Sequence, residues 1–138
     1  MGFCVSDNYA VGITENMLVC IGKAGDVTWE RTFKDIVFMT IPVIYKNYVI
    51  AASADNVLII CDIKTGDIIK YITKTPGSIS LGYSIQIYKE RLYIPYSTGI
   101  YELNMKSLSI NSKPIIPFIS PTNPVIHDNQ IIISSFIT

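Results

Sequence analysis

Apolar residues along this chain come in short bursts separated by polar, turn-forming pairs, and no stretch sustains the 3.6-residue stripe of an amphipathic helix. The pattern therefore predicts strands throughout. Residues 57–61 (Val-Leu-Ile-Ile-Cys) and 131–133 (Ile-Ile-Ile) are continuous apolar runs, as expected of strands covered on both faces. Residues 67–73 instead mix Ile68, Ile69 and Ile72 with Asp67 and Lys70, as an outer strand would. Ala54-Asp55-Asn56 and Thr98-Gly99 each join two β-rich runs and read as hairpin turns.

The bursts repeat. Pro42-Val-Ile-Tyr-Lys-Asn and Pro124-Val-Ile-His-Asp-Asn open two of the copies, and Tyr88-Lys89 in a third matches Tyr45-Lys46. In the first copy Asn8-Tyr9 matches Asn47-Tyr48. A second shared element follows each of the first three openings, a strand, a polar turn and another strand. Its best copy centres on Asp62-Ile63-Lys64-Thr65-Gly66, where the carboxylate can cap the N–H groups of Lys64 or Thr65 and the glycine supplies a positive φ. Asn104 takes the Asp62 position in the third copy, with Leu108 at the glycine position. In the first copy Gly22 takes the Asp62 position and Gly25 matches Gly66. Corresponding positions Asp7, Lys46, Lys89 and Asp128 lie 39, 43 and 39 residues apart. Units of about 40 to 50 residues with this content are four-stranded β-propeller blades. The expected fold is all-β, with antiparallel repeats over residues 3–41, 42–83 and 84–123 and a partial fourth over 124–138 of a single propeller domain. Closed propellers use roughly four to eight blades, so an incomplete ring is expected, with a fragment favoured over a truncated gene product or a partial ring completed by another chain.

Composition narrows the function classes. Of the 138 residues, 49% are hydrophobic and 16% charged, and the 11 basic and 11 acidic side chains are interspersed. No basic block exists to attract nucleic acid, and that partner class is excluded. No segment is long and apolar enough to span a bilayer as a helix, and the N-terminus lacks the basic and apolar regions of a signal peptide. Met1-Gly2 with Ser6 fits a loose myristoylation pattern, but residues 3–11 already behave as the start of a repeat. Cys4, Cys20 and Cys61 are an odd set beside apolar runs, without a short zinc-ligand pair, and read as small buried hydrophobes.

The strand ending in Asp62, its Lys64-Thr65-Gly66 turn and the Trp29 of another copy resemble the quinoprotein-type repeat. Such repeats build pyrroloquinoline-quinone (PQQ) dehydrogenases and the BamB-like propeller lipoproteins that assist outer-membrane β-barrel assembly in Gram-negative bacteria. The Gly-His and Trp-Asp dipeptides of WD repeats are missing. In the quinoprotein docking motif, Asp, Thr-Gly and Trp lock adjacent blades. Here the copy with Asp62 has Lys70 at the Trp position, and the copy with Trp29 has Gly22 at the Asp position, so no single repeat is complete.

Candidate chemistry is sparse, and no catalytic, cofactor-binding or metal-binding residue is assigned. Trp29 sits at the inter-blade position of its repeat. His127 occupies the place of Tyr45 and Tyr88 and has no ligand partner at metal spacing. Asp55 and Asp62 belong to turns rather than to an acid/base pair. Asp26, Asp67 and Glu30 flank strands as solvated charges. The tyrosines at 45, 48, 71, 83, 88, 93, 96 and 101 are either a recognition face or ordinary strand residues. Residues 112–124, with Pro114, Pro117, Pro121 and Pro124, read as a long connection and the best candidate contact surface.

The resemblance implies a non-enzymatic, protein-binding scaffold of the bacterial periplasm or the periplasmic face of the outer membrane, with no cofactor and no evident small-molecule substrate. The alternatives are a fragment of a PQQ-dependent dehydrogenase, whose calcium-bound quinone needs an Asp base and stacking aromatics from several blades, and a cytoplasmic protein-interaction propeller.

Overall fold

The computed structural model describes residues 2–79, 84–117, 125–127 and 130–132, the last two stretches by backbone pairing only. The chain forms two compact units, residues 1–73 and 74–138. Every regular element among the described residues is a strand.

The first unit holds two antiparallel four-stranded meanders. Strands β1 (Gly2–Val5), β2 (Tyr9–Ile13), β3 (Met17–Gly22) and β4 (Val27–Thr32) pair in chain order. So do β5 (Val43–Tyr45), β6 (Tyr48–Ala52), β7 (Leu58–Asp62) and β8 (Ile68–Ile72). Successive hairpins bury alternating apolar positions without any long crossover, which keeps the closure entropy of each strand pair small. The uniform apolar run of β7 is buried on both faces from Leu58 to Cys61, as its lack of alternation predicts. At the edge, β8 keeps Ile69, Lys70 and Tyr71 exposed. Both meanders carry a register shift before the third turn, between Cys20 and Ile21 and between Ile60 and Cys61. The chain between the meanders is itself tied down: Phe33 and Phe38 donate backbone N–H groups to the carbonyls of Asn16 and Glu15, and Ala54 donates to Val37. The two rings meet edge to face with centroids 5.2 Å apart.

The second unit begins with a third meander, β9 (Gln86–Tyr88), β10 (Arg91–Tyr96), β11 (Gly99–Asn104) and β12 (Ser109–Ile110). A further short strand, β13 (Ile116–Pro117), also pairs with β11. The outer edge of this sheet is thus made in two pieces, because the chain leaves β11 after Ile110 and returns at Ile115, whose N–H reaches the Ile100 carbonyl. This corrects the expectation of a long connection over 112–124: residues 115–117 belong to the sheet, and 118–124 lie outside the described residues. Gly99 makes the return possible, since a Cβ there would lie 2.5 Å from the Ile116 carbonyl oxygen. Strands β14 (Val125–His127) and β15 (Gln130–Ile132) form a hairpin with the backbone of His127 opposite Gln130. Asp128, Asn129 and Ile133 lie outside the described residues.

The turns expected from the repeats form as their chemistry dictates. Asp62 Oδ1 accepts the N–H groups of Lys64 (2.7 Å) and Thr65 (3.1 Å), and Asn104 Oδ1 accepts those of Lys106 (2.9 Å) and Ser107 (3.2 Å). Gly66 has φ 75°. Leu108 takes the matching conformation at φ 51°, so it bears the strain rather than avoiding it. A left-handed residue with a side chain costs roughly 1–2 kcal/mol, against roughly 0.5–1 kcal/mol of extra chain entropy for glycine. Leu108→Gly is therefore expected to stabilise the protein by about 0.5 kcal/mol, seen as a higher urea midpoint; a lower midpoint would show that the leucine side chain outweighs the backbone strain.

Candidate interaction surface

Two features converge on the 62–67 turn of the second sheet. Strand β4 of the first sheet points alternate residues Trp29 and Arg31 the same way, because side chains two apart on a strand share a face. The Trp29 indole N–H donates to the Ile63 carbonyl at 2.6 Å, and the Cys20 thiol donates to the same oxygen at 3.7 Å. The indole lies flat on Gly66, so that a Cβ there would sit 2.6 Å from Cδ2 and Cε3. Arg31 donates through Nε to the Gly66 carbonyl at 2.5 Å and lies 3.4 Å from the Asp67 carboxylate. The exposed ion pair adds little by itself; the buried indole and its hydrogen bond carry the contact.

Trp29 is thereby placed as the inter-sheet residue its sequence position implies. The incompleteness of the individual repeats has a structural explanation: the Trp of one copy and the Asp-Lys-Thr-Gly turn of the next are complementary halves of one clasp. Arg31 went unnoticed in the sequence, although its spacing of two from Trp29 was the available signal. Asp67, expected as a solvated charge, is Arg31's partner. Asp55 is exposed in its hairpin, whose Asn56 takes φ 62°.

Around the clasp one core joins both sheets of the first unit: Val11, Ile13, Leu18, Cys20 and Trp29 pack with Val49, Ala51, Ile59, Cys61 and Ile63. Cys20 and Cys61 are buried in it as small hydrophobes, whereas Cys4 is only half-buried; all three are free thiols. Burial pushes the Cys61 thiol up to about 11, with Arg31 opposing and Asp67 reinforcing the shift.

The tyrosines divide. Tyr96 and Tyr101 are buried and meet edge to face at 5.8 Å, so they belong to the core of the third sheet rather than to a recognition face. The Tyr96 hydroxyl has no hydrogen-bond partner among the described residues, and burial raises its pKa. Tyr83 lies outside the described residues. Tyr45 and Tyr88 hold corresponding places at the first hairpin of the second and third sheets. In each hairpin the next residue, Lys46 or Lys89, is left-handed (φ 51° and 48°) and holds its ammonium 5.4 Å from the tyrosine ring centroid. Tyr45 is buried and Tyr88 half-buried, so what the two hairpins present to solvent is the exposed Lys46 and Lys89, each held by the ring behind it. Among the described residues no three His, Cys, Asp or Glu side chains gather as a metal site would need, and no helix is long and apolar enough to cross a membrane.

Neither protein-family models nor curated proteins give a match to this chain. Solved structures do. BamB from Moraxella catarrhalis aligns with TM-score 0.74 and 14% identity over 96% of this chain and 42% of its own. The computationally designed Ika4 protein aligns with TM-score 0.73 and 14% identity over 97% of this chain and 83% of its own. PorZ, a surface component of the type-IX secretion system of Porphyromonas gingivalis, aligns with TM-score 0.70 and 13% identity over 96% of this chain and 19% of its own. The fold is of the β-propeller kind, with three four-stranded blades and a further hairpin among the described residues. This chain spans less than half the length of BamB.

The Cys61 shift has a sign that can be tested. Its folded value lies above the ordinary thiol value of 9.0, so the neutral thiol contributes stability that is intact below about pH 9 and is lost as pH rises through about 11. Urea titrations across that window are expected to show a steeper alkaline loss in the unaltered protein than in Cys61→Val. Equal slopes would assign the loss to other groups.

Proposed function

We propose that the protein is a non-enzymatic, protein-binding scaffold of the bacterial cell envelope that works as BamB-like propellers do, assisting assembly of outer-membrane β-barrel proteins from the periplasmic side. The observation that carries this reading is the recurrence of the Tyr–Lys pair at corresponding hairpins, Tyr45-Lys46 and Tyr88-Lys89. A catalytic centre needs unlike groups converging on one point. Like groups repeated at corresponding hairpins, each in its own sheet, suit separate contacts with a polypeptide. The rings hold the exposed ammonium groups in place, so that each hairpin presents a fixed, directed charge. The likeness to BamB supports the choice of partner class through the fold.

Binding of the purified protein to the periplasmic domains of the barrel-assembly machinery, followed by biolayer interferometry, tests the reading. Affinity is expected to fall several-fold in Lys46→Ala/Lys89→Ala, as loss of two exposed charge contacts with the partner, worth about 0.2–1 kcal/mol each, implies. Absence of binding by the unaltered protein would contradict the proposal. Binding that the double variant leaves intact would move the contact elsewhere.

A further inference from the structure

Equivalent positions of the three sheets form a row of side chains running across the strands. Pairing registers define it as Cys4–Val11–Cys20–Trp29 in the first sheet and Val43–Ile50–Ile60–Lys70 in the second. In the third it is Gln86–Tyr93–Glu102, continued by Asn111, whose backbone N–H donates to the Glu102 carbonyl at 3.0 Å. The middle of the first two rows is apolar and shut away, with Val11, Cys20, Ile50 and Ile60 all at 0% exposure. The third row is polar along its length. Gln86, Tyr93 and Glu102 are half-buried, and Asn111 is exposed.

This third row is also braced. Glu102 Oε2 accepts the Asn111 side-chain amide at 3.3 Å, and its Oε1 lies 3.7 Å from Arg91 Nε. Gln86 donates its amide to the Ser84 hydroxyl at 2.8 Å. Arg91 stands two residues before Tyr93 on the same strand and shares its face. These contacts fix the side chains without using them up. Arg91 keeps the donors of its terminal nitrogens, and Gln86 and Asn111 keep their amide oxygens as acceptors. The guanidinium and the carboxylate cancel, so the row is neutral as a whole. Pro95 and Ile100, the next positions on this face, are buried and give the polar row an apolar border.

Neutral donors and acceptors set around one aromatic ring suit a sugar, whose hydroxyls bond to the polar groups while its C–H face stacks on the ring. The spacing selects the shape of the ligand. Neighbouring strands lie about 4.8 Å apart, so a ligand laid across them meets one side chain per step of that length. Pyranose rings in an extended β-1,4-linked glycan recur at close to this interval. Side chains on one face of an extended peptide recur about 6.6 Å apart and fall out of step. We infer that the row Gln86–Tyr93–Glu102–Asn111 binds a neutral, extended glycan, with Tyr93 stacked on a sugar ring and Arg91, Glu102 and Asn111 bonded to its hydroxyls. The inference rests on the third sheet alone and is independent of the envelope-scaffold reading.

Titration of the isotope-labelled full chain with cellohexaose and with chitohexaose, followed by amide NMR, tests it. Shifts are expected at Gln86, Arg91, Tyr93, Glu102 and Asn111, with an affinity indifferent to salt because the ligand is neutral. Tyr93→Ala should weaken binding about tenfold, as loss of a stacked ring implies, while Tyr93→Phe, which keeps the ring, should retain most of it. Asn111→Ala, at an exposed position, should lower affinity several-fold and leave the urea midpoint in place. Absence of shifts with both glycans would overturn the inference, as would shifts confined to other parts of the chain. An affinity that falls steeply with salt would mark a charged ligand and overturn it too. A barrel-strand peptide that shifts these five residues when neither glycan does would assign the row to polypeptide instead.

Discussion

The first unit depends on one cross-sheet clasp centred on an indole laid on a turn. Trp29 donates to a carbonyl of the second sheet, covers its left-handed glycine and lies in the core between the two sheets, with Cys20 and Arg31 bonded to the same turn. Each sheet is a local meander that needs only its neighbours in sequence, but an apolar face gains stability only when another sheet covers it. What aligns one meander against the next is a rigid aromatic ring with a single donor, seated on a turn whose shape is set by Asp62. Loss of that seat would leave the apolar faces in contact without a fixed register.

This division between local and non-local contacts explains what could be read from the sequence. The meanders were legible because hairpin chemistry is local: Asp62 and Asn104 cap the two N–H groups that follow within three residues, and the same pattern recurs at a fixed period. The position of Trp29 was legible for the same reason. The pairing of Trp29 with the next copy's turn was not, because it joins residues 34 apart whose approach is set by packing of whole sheets. Arg31 was overlooked because a lone exposed-looking arginine carries no signal until its strand face is known. Residues 116–117 were misread because a two-residue strand ending in proline lacks the alternation and the N–H donors by which strands are recognised. Tyr96 and Tyr101 show the limit of composition, since tyrosine serves a core as readily as a surface.

Repetition gives the protein its functional character. Repeating one hairpin sequence produces the same turn within each copy, and any side chain set at such a turn is displayed again by the next copy. Lys46 and Lys89, each held over its tyrosine in a left-handed hairpin, are displayed in this way. The clasp leaves one face of the first sheet apolar and turned to solvent, with Gly25 uncovered at its end.

The most direct test is a double-mutant cycle between Trp29→Phe, which removes the indole N–H while keeping an aromatic ring, and Asp62→Ala, which releases the turn the indole sits on. Neither side chain is hydrogen-bonded to the other, so they can couple only through the turn. The account predicts a coupling on the order of 1 kcal/mol in urea denaturation. Additivity within about 0.3 kcal/mol would mean that the turn and the indole act independently, and the clasp would not be what aligns the two sheets.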